Sequence, residues 1–150
     1  DPVGGDSTMV DGFRIAAELK EKSPEQFELL SSFSVPGQYI GDGAHLMSSR
    51  PVFRHDQTGE LVQVSLNNGD RAPFLLEPDE QRAFYDALRA FEDLANDERL
   101  QWRHVLAPGE AMLFDNWRVL HGRQAYSGTR TLCGAYLNHE DFESRLRRGV

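Results

Sequence analysis

The spacing of apolar positions changes along the chain, and the changes mark its elements. After Asp11, Ile15, Ala16 and Leu19 recur at the three-to-four-residue spacing of one helix face, and Asp11 is placed to cap the first turn. "GGDSTMVDGF" reads as a turn, a short strand and the start of that helix. "SPEQFELL" predicts a second short helix, with Ser23 at the cap, Pro24 in the first turn and Gln26 three residues on, the pattern of a capping box. In "RPVFRHDQTGELVQVSLNN" the period shortens to two. Val62, Val64 and Leu66 alternate after the turn residues "QTGE", so this segment predicts a hairpin. "PDEQRAFYDALRAFEDLAND" is the strongest helix, with Phe84, Leu88, Phe91 and Ala95 on one face. Beyond it "LQWRHVLA", "AMLFD", "RVLHGR" and "TRTLCGAYLN" read as strands separated by the turns "PGE" and "YSGT", and a short helix starts near His139. Short strands joined by turns, with helices packed outside, predict an α+β domain built on a sheet sandwich or barrel.

Composition narrows the class. The 150 residues suffice for one domain and carry no internal repeat, linker or low-complexity segment. Hydrophobic residues make up 39%, and no run approaches the ~20 apolar residues of a membrane span. A net charge of −8 argues against a nucleic-acid partner, which calls for a basic stripe. The terminal "RLRRGV" reads as a solvated helix end. Cys133 is the single cysteine, so no internal disulfide forms; a reducing compartment is compatible with that. The sequence opens "DPVGGDSTMVDG", without Met or signal peptide, and reads as the middle of a longer chain.

Alternation then brings chemistry together. On one expected strand Trp117, Val119 and His121 share a face; on the next, Arg130, Leu132, Gly134 and Tyr136 do. If both faces line one barrel, its interior holds a histidine, an arginine and a tyrosine. A buried guanidinium is costly without an anion, and a bound carboxylate held bidentately would serve. The plainer alternative has His121 bonding a backbone carbonyl and Arg130 pairing with Asp115 or a surface acid.

"DNWRVLHGR" followed by "GTRTLCGAY" resembles the C-terminal signature of iron(II)- and 2-oxoglutarate-dependent dioxygenases of the TauD/TfdA type. More narrowly it resembles their carnitine-biosynthesis branch, trimethyllysine dioxygenase and gamma-butyrobetaine dioxygenase. "GGDSTMVDGF", "PEQFELLSS", "TGELVQVSLNN" and "SRLR" are similar to segments of that branch in the same order. The resemblance implies a double-stranded β-helix (a jelly-roll, cupin-like core) with flanking helices. Residues 1–150 would be the C-terminal portion of the catalytic domain, with the N-terminal part of the core missing.

In that family a His-x-Asp pair and one distal histidine hold iron, leaving three positions open. His121 matches the distal histidine, Arg130 the arginine that binds 2-oxoglutarate, and Ser7 a hydroxyl that helps hold it. Tyr136 matches an aromatic-cage tyrosine, since a quaternary ammonium has no hydrogen-bond donor and is recognised by aromatic faces; the alternative is an ordinary core tyrosine. Asn67 matches a substrate-binding asparagine, or is a turn residue closing the hairpin. No further catalytic side chain is assigned. His139-Glu140-Asp141 follows the distal histidine and falls at a helix start, where its acids complement the dipole, so it is not the iron pair. His45 and His55 are expected to face solvent. The family's pair is expected roughly twenty to thirty residues before Gly4, a gap that a loop between neighbouring strands can span.

The implied reaction is hydroxylation of N6-trimethyllysine at C3. Gamma-butyrobetaine is the alternative substrate, and a metal-free cupin-like binding module the alternative class. The "LCG" spacing favours trimethyllysine; "GGDSTMVDGF" and "FYDALRAFEDL" lean toward gamma-butyrobetaine. The resemblance also implies Fe(II), 2-oxoglutarate and O2, with ascorbate as an accessory reductant. It implies a homodimer of the full-length protein and a mitochondrial or cytoplasmic setting. Residues 1–150 alone are expected to be inactive.

Overall fold

Asp11 ends a strand and opens a helix, and its carboxylate explains both. The computed structural model describes residues 3–149. Strand β2 (Ser7–Asp11) runs into α1 (Gly12–Lys22), where the Asp11 Oδ1 accepts the Phe13 N–H at 3.0 Å as an N-cap. The helix α2 (Pro24–Ser32) follows after one residue. Ser23 is that residue, but its hydroxyl does not cap. Its N–H is already donated to Leu19 O as the C-cap of α1, so the reciprocal half of a capping box has no free donor. The helix α3 (Pro78–Ala95) buries Phe84, Ala87, Leu88, Phe91 and Leu94, the face anticipated from its periodicity.

These three helices pack on one another and on the hairpin of β5 (Phe53–His55) and β6 (Leu61–Val64). Asp56 closes the hairpin turn by accepting from Thr58 N, Thr58 Oγ1 and Glu60 N. Phe27 stacks on Phe53 at 5.1 Å and Phe53 meets Phe91 at 5.7 Å, so one aromatic run joins α2, the hairpin and α3. His55, expected to face solvent, is half-buried with its ring edge-on to Phe27 at 5.8 Å.

A second hairpin escapes the hydrophobic pattern. Strands β3 (Val35–Gly41) and β4 (Ala44–Arg50) pair antiparallel around Asp42-Gly43, both at positive φ (50° and 76°), the mirror-image turn that a two-residue loop requires. "DG" is its signal. His45 lies on β4 and is exposed.

The sheet that positions the site has the order β7-β2-β8, all antiparallel, with β7 at Gln101–His104 and β8 at Val119–Arg123. Beside it β1 (Val3–Gly4) pairs with β9 (Tyr126–Ser127). The helix α4 (His139–Arg148) begins where expected, carries Glu140 and Asp141 in its first turn and ends at Gly149 in the left-handed region. The architecture is thus helices with antiparallel sheets. Residues 111–115 and 129–138, expected as strands from their alternation, form none, because no other described segment pairs with their backbones. Alternation alone does not make a strand.

Candidate functional site

Register decides which side chains share a face. Ser7 lies opposite His104 and Arg123, and Met9 opposite Trp102 and His121. Directly opposed residues point the same way, so Ser7, Met9, His121, Trp102 and His104 occupy one face of the sheet. Val10 and Leu120 occupy the other face, which packs on the helical core. His121 is therefore presented away from the core, as a ligand to something held over the sheet would be.

The His121 ring is exposed and lies 4.8 Å from that of Phe114; its Nδ1 is 3.3 Å from Val119 O. The backbone carbonyl of the plainer alternative is thus present. It does not oppose ligation: an imidazole donating Nδ1–H to that carbonyl offers its Nε2 lone pair to a metal. Among the described residues no group of three or more His, Cys, Asp or Glu is placed to hold a metal ion.

Arg130 is half-buried. Nη1 donates to Gly5 O at 2.7 Å and Nη2 to Leu106 O at 3.2 Å. It does not pair with Asp115, and no carboxylate lies within 4.0 Å of it among the described residues. Two of its five N–H groups are used, and among the described residues its charge has no counter-ion. Gly5 precedes β2 and Leu106 follows β7, so the guanidinium sits at the Ser7 end of the sheet. The small Gly5 permits this approach: a Cβ there would lie 3.1 Å from Nη1.

Asn67 takes the turn role weighed for it and also lies beside a groove. Oδ1 accepts from Gly69 N at 2.9 Å and Nδ2 donates to Asp70 Oδ2 at 2.6 Å, which builds the turn, and the residue also lines a groove that holds His121, Trp117, Gln63 and Arg50. Tyr136 is not brought to this groove. It is 87% exposed in the irregular segment, so the expectation that it shares a strand face with Arg130 fails for want of the strand.

A clamp invisible in the sequence fixes β8 to β2. Arg118 donates to both Asp11 oxygens, at 3.0 and 2.6 Å, and Gly12 N bonds Arg118 O at 2.8 Å. The guanidinium holds the Asp11 carboxyl below its ordinary value, helped by the Phe13 N–H and opposed by burial. On β7, His104 Nε2 lies 2.8 Å from Glu110 Oε2. The Ala107 N–H, then His104, hold the Glu110 carboxyl below the usual range. No motif points to Trp102 or His104, although the alternation in "QWRH" carries them to the His121 face. His139 stacks on Trp117 at 5.1 Å with the rings 10° apart, which ties α4 to the turn before β8.

Comparison with known proteins fits this arrangement. Residues 1–136 match the family described as "Taurine catabolism dioxygenase TauD, TfdA family". The chain is 38% identical to the trimethyllysine dioxygenase of Meyerozyma guilliermondii, covering 95% of the chain and 37% of that protein. It is 41% identical to the trimethyllysine dioxygenase of Neurospora crassa, covering 96% of the chain and 32% of that protein. It is 38% identical to the gamma-butyrobetaine dioxygenase of Homo sapiens, covering 96% of the chain and 39% of that protein. The chain thus spans between 32% and 39% of the length of these relatives.

Proposed function

Because the chain belongs to the Taurine catabolism dioxygenase TauD, TfdA family, we propose that it is the C-terminal portion of the catalytic domain of an iron(II)- and 2-oxoglutarate-dependent dioxygenase. Its proposed substrate is N6-trimethyllysine, hydroxylated at C3. The observation that carries the reading is the joint placement of three groups. His121 and Ser7 share the sheet face turned from the core, and at the Ser7 end stands Arg130, a guanidinium with no carboxylate beside it among the described residues. The donor set fits the family's cofactors: one imidazole free at Nε2 for the metal, and a cation with unspent donors for a dicarboxylate.

Iron(II), when bound, supplies the oxygen chemistry that couples 2-oxoglutarate decarboxylation to hydroxylation by O2. The residues here bind and orient. His121 holds one side of the metal, with the His-x-Asp pair supplied from upstream in the full-length protein. Arg130 fixes the far carboxylate of 2-oxoglutarate and Ser7 helps seat it. Asn67 orients the substrate at the groove, and Tyr136 joins an aromatic cage for the trimethylammonium group.

In the full-length protein, residues 111–115 and 129–138 would pair as strands of a jelly-roll core that the upstream sequence completes. Leu113, Leu132, Tyr136 and Leu137, at 77, 49, 87 and 68% exposure, are the side chains such pairing would cover. Pairing would also return Tyr136 to Arg130's side of the core.

The test is succinate release by the full-length protein with trimethyllysine and with gamma-butyrobetaine. Faster turnover of trimethyllysine supports the reading. Turnover of gamma-butyrobetaine alone reassigns the substrate, as the human relative's name would suggest. Binding of either compound without iron dependence or succinate would indicate a metal-free module.

A further inference from the structure

The groove that holds His121 continues into a second hollow. Arg50, Ser65, Leu66 and Asn67 line both, and the second, of about 280 Å³, lies under the β3–β4 hairpin with Tyr39, Leu46 and Met47 in its wall. Arg71 and Asp70 line it too. We propose that this cavity takes the α-amino-acid head of the substrate, Arg71 binding its carboxylate and Asp70 its ammonium group. The inference rests on the trimethyllysine reading and adds to it a specificity site.

Arg71 carries the first half. Its Nη1 is buried and has no hydrogen-bond partner among the described residues. No carboxylate lies within 4.0 Å of Arg71 or of Arg50 among the described residues. A buried, unmatched guanidinium N–H costs free energy that a bound anion recovers. The side chain is already held: its Cζ lies 5.4 Å from the Tyr85 ring centroid, and its backbone bridges Gly37 of β3. It is therefore ordered before a ligand arrives, which lowers the cost of binding.

Asp70 carries the second half. One oxygen accepts from Asn67 Nδ2 at 2.6 Å, and no Lys or Arg lies within 4.0 Å among the described residues. The carboxylate is oriented by a neutral amide, and among the described residues its charge is unmatched. An acid and a base, each without a counter-ion among the described residues, thus line one cavity, whose walls also carry Val35, Leu46, Met47 and Leu66, the polar side chains of Ser48 and Asn67, and a second guanidinium, Arg50. That pairing complements a zwitterion better than a simple anion or cation. The geometry of the reaction agrees. In both candidate substrates the carbon to be hydroxylated is β to the carboxylate, so the head must lie near the metal, and Asn67 borders both hollows. Gamma-butyrobetaine has the carboxylate but no α-ammonium. Arg71 thus serves either compound, whereas Asp70 recognises trimethyllysine.

The experiment uses the full-length enzyme with trimethyllysine and with 6-(trimethylammonio)hexanoate, which lacks only the α-amine. Asp70→Asn should raise KM for trimethyllysine at least about tenfold, the loss of one charge-assisted contact, and leave the analogue's KM unchanged. Arg71→Gln should raise both by a similar factor, with Arg71→Lys intermediate, and KM for 2-oxoglutarate should not move in any variant. Arg71→Lys supplies the measurement if the glutamine variant does not fold. Equal losses on the two compounds in Asp70→Asn, or a shift confined to 2-oxoglutarate, would overturn the head-group assignment while the dioxygenase reading stands. A wild-type enzyme that turns over neither compound would overturn that reading and the site with it.

Discussion

Replacing Arg130 by lysine separates charge from shape. The arginine spends one donor on Gly5 O and one on Leu106 O and keeps three. A lysine ammonium is a single nitrogen, so it cannot span the two carbonyls and still present a fork to a ligand carboxylate. Hydrogen bonds involving a charged group are worth roughly 1.5–3 kcal/mol, so loss of one prong on 2-oxoglutarate corresponds to about a ten- to hundredfold rise in its apparent KM. The loss of one carbonyl contact costs about 1 kcal/mol of stability besides. The assay is succinate release by the full-length enzyme against 2-oxoglutarate concentration at saturating substrate. KM for trimethyllysine and the melting temperature serve as controls. An unchanged 2-oxoglutarate KM, or an equal rise for both compounds, would leave Arg130 with no role beyond bracing Gly5 and Leu106.

The Asp11 clamp separates in the same way. Asp11→Asn keeps a competent N-cap and loses the pair with Arg118, whose side chains are 40% and 50% exposed, so denaturant titration should show a loss of roughly 0.2–1 kcal/mol. Asp11→Ala should lose about 1 kcal/mol more, and equal losses would remove the capping role. Since the Asp11 carboxyl is lowered from 3.8 in the fold, the wild-type advantage over Asp11→Asn should be complete at neutral pH and fade as pH falls below 3.8 through the lowered value. A gap that persists in acid would contradict the ion pair. Tyr136→Leu should weaken trimethylammonium substrates and spare 2-oxoglutarate binding; parallel losses would make it a packing residue. Residues 1–150 expressed alone should bind iron(II) weakly and release no succinate, because the described side chains offer no cluster of three or more ligands; tight binding with turnover would instead place iron ligands among His45, His55 and His139.

The helices are legible because their signals are local. The apolar face of α3 and the Asp11 cap each lie within a few turns of chain, and the structure reproduces both. The "DG" hairpin is equally local yet hidden from the hydrophobic pattern, since its strands carry Ile40 and Met47, 68% and 70% exposed, with no buried face to set a clear alternation. His121 reads as a strand residue, and it is one, but its face becomes definite only through the register with Met9. Arg118 meets Asp11 across 107 positions, which no periodicity reports. Arg130 and Tyr136 show the opposite failure. Their alternation is real in the sequence, yet strands exist only in pairs, and the described residues supply no partner.

The central claim is that His121 is an iron ligand in a 2-oxoglutarate-coupled hydroxylation. Full-length protein would be loaded with iron(II) and 2-oxoglutarate without oxygen, and then exposed to oxygen with trimethyllysine. Succinate and hydroxylated product would be counted together, in the wild type and in His121→Ala. The account predicts that the two products rise in step in the wild type, and that His121→Ala loses both along with iron affinity while 2-oxoglutarate still protects the fold against heating. Undiminished iron binding and coupled turnover in His121→Ala would contradict it.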